Sequence, residues 1–356
     1  MAEPEDVWEA IDYCYEQGWA ADGLPVVPPT EERVREFLEC ASRDAKEVVA
    51  TMEVVCRDCT VEKAAVNAVM AGCLPGYFPV VLAALEALSD DRYHLHGSSA
   101  SPAGCGPLLV INGPIRKRLK INSTLNVLGP GCRANATIGR SISLILMNVF
   151  GMHPEVFGQS TQGFPGKYTL CIAENEEESP WEPLHVEKGC SPESSTVTVY
   201  GALGTTHVGQ RQTNRPEDIL LTIADTMSHL GSINSHAQTA VIMGPEHAHL
   251  LARQGWSKAE VKSFLHQHAR RTLPDLQKVS KAYRGVGGAG AAGRDGYVHQ
   301  GQAPEDILLV VAGANNAGIS TVLHPWGRRL SPVVGGSPPQ ELPSMDHVTR
   351  EIREAS

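Results

Sequence analysis

Three short apolar runs in this chain each end on a glycine: Pro107 to Asn112 before Gly113, Thr239 to Met243 before Gly244, and Leu308 to Ala312 before Gly313. Runs of that length bounded by glycine read as buried strands. Strands that end this way are expected to gather their loops at the carboxyl edge of a sheet, where α/β proteins bind ligands. The chain has 356 residues, enough for a large core or two domains. Aromatics make up only 5%, while Gly (34) and Pro (24) are plentiful, which favours many short turns between aliphatic elements over a helical bundle. The expected fold is therefore α/β. A helix-rich N-terminal α/β half spans 1–192, a βα-repeat half spans 193–330 with the site between them, and 331–356 is a surface tail.

A formal net charge of −10 argues against nucleic acid as a partner. No apolar run is long enough to span a membrane. Met1 to Asp6 is acidic and lacks the basic-then-apolar pattern of a secretory signal, so the chain is expected in the cytoplasm. An Ala-rich core with few aromatics leads us to expect a homo-oligomer.

Local signals place several elements. Glu5 to Gln17 has helical spacing, Thr30 caps a helix carrying Arg33 to Cys40, and Val48 to Val55 reads as a strand. Thr60 opens an Ala-rich helix through Ala71, and Phe78 to Leu88 is another. Thr196 to Tyr200 is a strand, and Ser257 caps a helix. The hexapeptide Pro-Glu-Asp-Ile-Leu-Leu occurs at both 216–221 and 304–309, suggesting a duplication. Its first copy reads as a helix start and its second runs into a strand. The glycine loop Arg284 to Gly296 contains a G-x-G-x-x-G-like fragment, but no strand precedes it. A flexible lid fits it better than a dinucleotide site, and no strong nucleotide-cofactor signal exists elsewhere.

Gly129-Pro130-Gly131-Cys132 feeds straight into a helix whose first turns carry Arg133, Asn135, Thr137 and Arg140. The first amides of a helix have no internal partners, and its dipole adds roughly half a positive charge there. With two guanidiniums added, this is a candidate cradle for a small anionic substrate, which Asn112 would also contact. Cys132 lies at its mouth, a position that commonly favours thiolate chemistry.

Nine cysteines, none beyond Cys190, do not form a disulfide pattern and point to thiol chemistry in the first half. Cys56 and Cys59 form a C-x-x-C pair, and Cys73 follows the next helix. The three are candidate ligands for an iron–sulfur cluster with one open iron, or for a single transition metal. Zinc would take a fourth ligand from Cys105, His94 or His96; a Cys56/Cys59 redox disulfide and small buried hydrophobes are the other readings. Tyr93-His94-Leu95-His96 puts both rings on one face if it is a strand. The acid-rich loop Glu174 to Glu178 ends an apolar strand just before His185. Glu174, Glu177 and His185 are therefore acid–base candidates near the cradle.

Asp22 to Thr30, Val61-Glu62-Lys63, Asn67 to Cys73, Ile111 to Ile115, Arg133 to Arg140, Ala173 to Glu177, Ser179 to Trp181, Gly244 to Ala248 and Gly255 to Ala259 together resemble a group of prokaryotic proteins associated with U-G-S-C-motif (seleno)proteins. The resemblance covers most of the chain and implies thiol or selenol redox chemistry on a small molecule. This chain has no Cys-Gly-Ser-Cys element, so the resemblance points to Cys73, or to a small thiol or selenol partner protein, as the source of the chalcogen. The expectation is a cytosolic lyase or transferase that makes or breaks a carbon–sulfur or other carbon–heteroatom bond. Cys73 is its thiol with Cys132 as second choice, and Lys63 is an accessory residue at the far end of the Cys73 helix. A thiol- or cluster-based oxidoreductase and a non-catalytic subunit of a (seleno)protein complex are the alternatives.

Overall fold

The computed structural model describes residues 6–283, 288–327 and 348–354. Two short ribbons stand apart from the main sheet: β1 (Val48–Met52) with β2 (Arg57–Thr60), and β7 (Arg270–Thr272) with β8 (Tyr297–His299). The main sheet holds β3 (Gly106–Asn112), β4 (Cys171–Ala173), β5 (Thr196–Gly209), β6 (Thr239–Met243), β9 (Ile307–Val311), β10 (Ile319–Pro325) and β11 (Val348–Glu351). Its order is β4-β3-β5-β10-β6-β9, with β11 beside the first half of β5. The α/β expectation holds.

The strands read as unbroken apolar runs because both faces are buried. Leu108, Val110, Ile172, Tyr200, Ala202, Ala240, Ile242, Leu308, Val310 and Leu323 alternate inward from six strands into one cluster. Their sequence neighbours Leu109, Ile111, Val197 and Val199 face outward beneath the helices Val61–Ala71, Phe78–Leu88 and Arg133–Asn148. Val241, Met243, Leu309, Val311 and Val322 do the same beneath Pro216–Met227, Pro245–Arg253 and Lys258–His268. The sheet curls until its edges meet: Asn175, just past β4, donates its backbone N–H to Val311 of β9 at 2.8 Å.

The two halves repeat one plan. β3 and β4 are a parallel pair followed by the antiparallel return β5; β6 and β9 are a parallel pair followed by the return β10. The first strand of each pair ends in a Gly-Pro turn, and a serine at the start of each return strand accepts an amide from that turn. Ile115 N donates to Ser195 Oγ at 3.1 Å, and Gly244 N donates to Ser320 Oγ at 3.2 Å. A Cβ on Gly113 would collide with the Ser194 carbonyl, and one on Gly244 with the Ile319 carbonyl. This repeat does not coincide with the hexapeptide match, whose first copy begins the Pro216–Met227 helix and whose second forms a 3₁₀ turn and β9.

Several expectations need correction. β5 and β10 pair antiparallel between the two parallel pairs, so β3 and β6 run in opposite directions along the sheet, and it is the curl of the sheet that brings their carboxyl ends together: Asn175 past β4 bonds Val311 and Gly313, and Ala312 N donates to the Met243 carbonyl. β5 begins after residue 192 yet hydrogen-bonds along its first half to β3. Of the tail, 328–347 and 355–356 lie outside the described residues, while Val348 is buried and β11 joins the sheet. Of the glycine loop, 284–287 lie outside the described residues. Ala289 is buried beside Ile233, Leu276 and Val298, so that part is anchored. His94 sits in a left-handed conformation before the Leu95–Ala100 helix, so His94 and His96 do not share a strand face. Among the described residues no helix is long and apolar enough to cross a membrane.

The close approaches make a direct test. Gly113→Ala and Gly244→Ala should each lower unfolding free energy by about 1–3 kcal/mol or more in urea titrations. Gly204→Ala, with open space around it, should change it by less than about 0.5 kcal/mol. Equal costs at all three positions would remove the steric reason for the glycines.

Candidate functional site

The carboxyl ends of β3 and β4 carry two polar clusters, one on each side of β4. In the first, the Asn112 amide donates to Glu174 Oε2 at 2.6 Å and to Glu176 Oε1 at 2.9 Å. Glu174 Oε2 also accepts the Leu184 amide at 2.8 Å, and Glu176 Oε1 accepts that of Gly113 at 2.8 Å. Arg116 is buried and donates to Glu176 Oε2 at 2.6 Å, to the Glu174 carbonyl at 2.9 Å and to both oxygens of Glu177. His185 lies 4.0 Å from Glu176 and is buried, with Nε2 3.4 Å from the Pro192 carbonyl.

The structure brings Asn112 together with Glu174, Glu177 and His185, apart from the cradle residues with which Asn112 was expected to act. Glu174 is fully buried, and burial raises its carboxyl above the ordinary value. Arg116 and Lys117 instead hold Glu177 down to about 2. Asn112 spends its amide on two carboxylates, not on an exposed ligand surface. The network ties β3, β4 and the turn at Leu184 together. Arg116 and Glu176 complete it, and neither stood out in sequence. The available signal was the arginine two residues after a Gly-Pro turn, facing four glutamates in five residues.

The segment after Glu174 also clasps the second half. Glu187 bonds Lys258 and Lys262, each at 2.7 Å. Burial opposes ionisation of Glu187, yet the two ammoniums hold it down to about 2.

The second cluster lies at the start of the Arg133–Asn148 helix. Cys132 occupies the N-cap position and no side chain caps the helix. Among the described residues the amides of Arg133, Ala134 and Asn135 have no hydrogen-bond partner; the first internal bond runs from Ala136 to the Cys132 carbonyl. Gly131, at φ 125°, brings the chain into this position with open space around it. Exposed Arg133 donates through Nε to the Gly72 carbonyl at 3.0 Å. Cys132 is half-buried, its thiol 3.3 Å from the Lys120 carbonyl. Tyr77 lies within electrostatic reach of Cys73, Cys132 and Arg133, and Cys171 within reach of both thiols.

Three other cradle residues are occupied. Arg140 grips the largely inaccessible Asp22 carboxylate at 2.7 and 3.1 Å and donates to the carbonyls of Leu24 and Pro25, locking the Pro-rich loop onto the helix. With its guanidinium committed to Asp22 and two carbonyls, Arg140 is engaged in holding this loop. Asn135 is buried, with Asn122 on both sides of its amide and the Cys171 carbonyl at 3.1 Å. Thr137 Oγ1 donates to the Arg133 carbonyl at 2.8 Å. Cys73 is buried against the Thr137 and Ser141 hydroxyls, and burial pushes its thiol up to about 12. A thiol held that high is protonated at neutral pH and is a poor nucleophile.

The proposed metal set does not assemble. Cys56 is exposed in the turn before β2, while Cys59 faces the core and burial pushes its thiol up to about 12. Cys73 lies past the far end of the Val61–Ala71 helix, whose 11 residues rise roughly 16 Å. Among the described residues no three His, Cys, Asp or Glu side chains converge as metal ligands. Lys63, at the near end of that helix, donates to the Asp58 carbonyl at 2.8 Å and is remote from Cys73. No protein-family model, curated protein or solved structure matches the chain.

The raised Glu174 carboxyl has a stability consequence. The folded state binds this proton more tightly than the unfolded chain, so its contribution is whole below the unfolded value near pH 4.3 and is lost as pH rises through the folded value. Glu174→Gln should therefore gain stability relative to the native chain between pH 4.5 and 7 in urea titrations. Parallel curves for the two proteins would contradict the burial of an ionisable carboxyl there.

Proposed function

We propose that the chain is an enzyme that seats the anionic group of a small substrate on the free amides of Arg133, Ala134 and Asn135 and on the Arg133 guanidinium. The Cys132 thiol then displaces a heteroatom leaving group from the adjacent carbon: the carbon–sulfur bond forms as the carbon–heteroatom bond breaks, and the thiol proton passes to the departing group. The observation that carries this reading is the uncapped helix start with an accessible cysteine as its N-cap. The chemistry is that of a lyase or transferase, with a carbon–sulfur or other carbon–heteroatom bond made or broken. The role first given to Cys73 passes to Cys132, because Cys73 is buried and protonated. Tyr77 is the proton carrier we assign, ahead of Glu174, Glu177 and His185, which are engaged in the neighbouring network. A free thiol in this position suits a reducing compartment such as the cytoplasm.

A thiol–disulfide oxidoreductase is the second reading, favoured by the approach of Cys73, Cys132 and Cys171 from three separate elements. A Cys73–Cys132 disulfide in the peptide map of the oxidised protein would favour it.

Charge selectivity at the thiol tests the main reading. Iodoacetate carries a carboxylate and iodoacetamide does not. The ratio of their alkylation rates, measured by peptide mass spectrometry, should be at least about threefold higher at Cys132 than at exposed Cys56, as roughly 0.6 kcal/mol of attraction implies. Equal ratios at the two thiols, or no alkylation of Cys132, would refute it.

A further inference from the structure

At the amino end of β3, opposite the clusters just described, lies a cavity of about 650 Å³. That is the size of a small-molecule site. Much of its wall is apolar, with Leu146, Met147, Met152 and Phe164 among its side chains. Lys167 lines the same space, half-buried, and donates through Nζ to Ser160 Oγ at 2.7 Å. Among the described residues this ammonium has no carboxylate partner. The one carboxylate in the lining, Asp22, is held by Arg140. The nearby Cys105 thiol is driven by burial toward its neutral form and supplies no counter-charge.

A partly desolvated cation in an apolar enclosure is costly until an anion joins it. Burial accordingly holds the Lys167 ammonium below its ordinary value. We propose that this cavity binds an organic carboxylate with an apolar body, its carboxylate paired with Lys167 and its body lying against Met147, Met152 and Phe164. The negative charge is needed because the carboxylate in the lining, Asp22, is already held by Arg140. The apolar body is needed because the rest of the lining offers mostly carbon. A free inorganic anion would satisfy Lys167 but leave the apolar wall unfilled. The lining contains none of Cys132, Arg133, Ala134 and Asn135, so the two sites can be tested separately.

Isothermal titration of the full chain with decanoate and with decanol separates charge from apolar fit. Decanoate should bind one to one and at least tenfold more tightly than decanol. Lys167→Met should bring decanoate to the decanol level, whereas Lys167→Arg should retain the preference. On the unsubstituted protein, saturating decanoate should slow acetylation of Lys167 at least fivefold by peptide mass spectrometry, which keeps the test independent of the variants' folding. Decanol binding as tightly as decanoate, absence of decanoate binding, or unprotected Lys167 would overturn the proposal.

Discussion

The structure depends on the closure of its main sheet. β4 and β9 are the outermost strands, yet Asn175 past β4 bonds Val311 of β9, and the Asn175 side chain reaches the Gly313 carbonyl at 3.2 Å. Closure turns one face of six strands into a single interior filled by Leu108, Val110, Ile172, Ile242, Leu308 and Val310. The outer face is covered by two separate helical layers. Burying a fully enclosed aliphatic side chain contributes about 1.5–3 kcal/mol, so each of these residues adds to the cohesion of the sheet.

Closure also explains why the halves are alike in frame and different in chemistry. Both place a Gly-Pro turn against the residues leading into a return strand. In the first half, however, β4 is followed by Glu174, Asn175, Glu176 and Glu177; in the second, β9 is followed by Ala312 and Gly313. The charged network and the uncapped helix with Cys132 both belong to the first half. The second half contributes Lys258 and Lys262, which clasp Glu187 and fix the segment that follows the network.

What the sequence revealed was local. Thr30, Thr60 and Ser257 cap the helices they were expected to cap, because a hydroxyl reaching the third amide needs only four consecutive residues. The strands ending at Gly113, Gly244 and Gly313 were legible from apolar length and punctuation. Their relative directions were not, since these follow from which strands pair across the sheet. The repeated hexapeptide shows the limit most sharply. At 216–221 it faces one apolar layer as a helix, and at 304–309 it runs into a strand buried on both faces, so packing overrides identical local preference. The Cys56, Cys59 and Cys73 spacing suggested shared ligation, but the helix that the intervening residues form holds the last thiol far from the first two. Arg140 looked like an anion binder until Asp22, 118 residues away in sequence, claimed it. Long-range partners of this kind decide which polar residues remain available.

The amides of Arg133, Ala134 and Asn135, which have no hydrogen-bond partner among the described residues, are proposed to take up an anion. A crystal of the protein soaked in selenate, with diffraction recorded at the selenium edge, addresses this directly. The account predicts an anomalous peak within hydrogen-bond distance of the Arg133, Ala134 or Asn135 amides, beside the Arg133 guanidinium and the Cys132 sulfur. Selenate bound elsewhere on the molecule, with no peak at those amides, would contradict it.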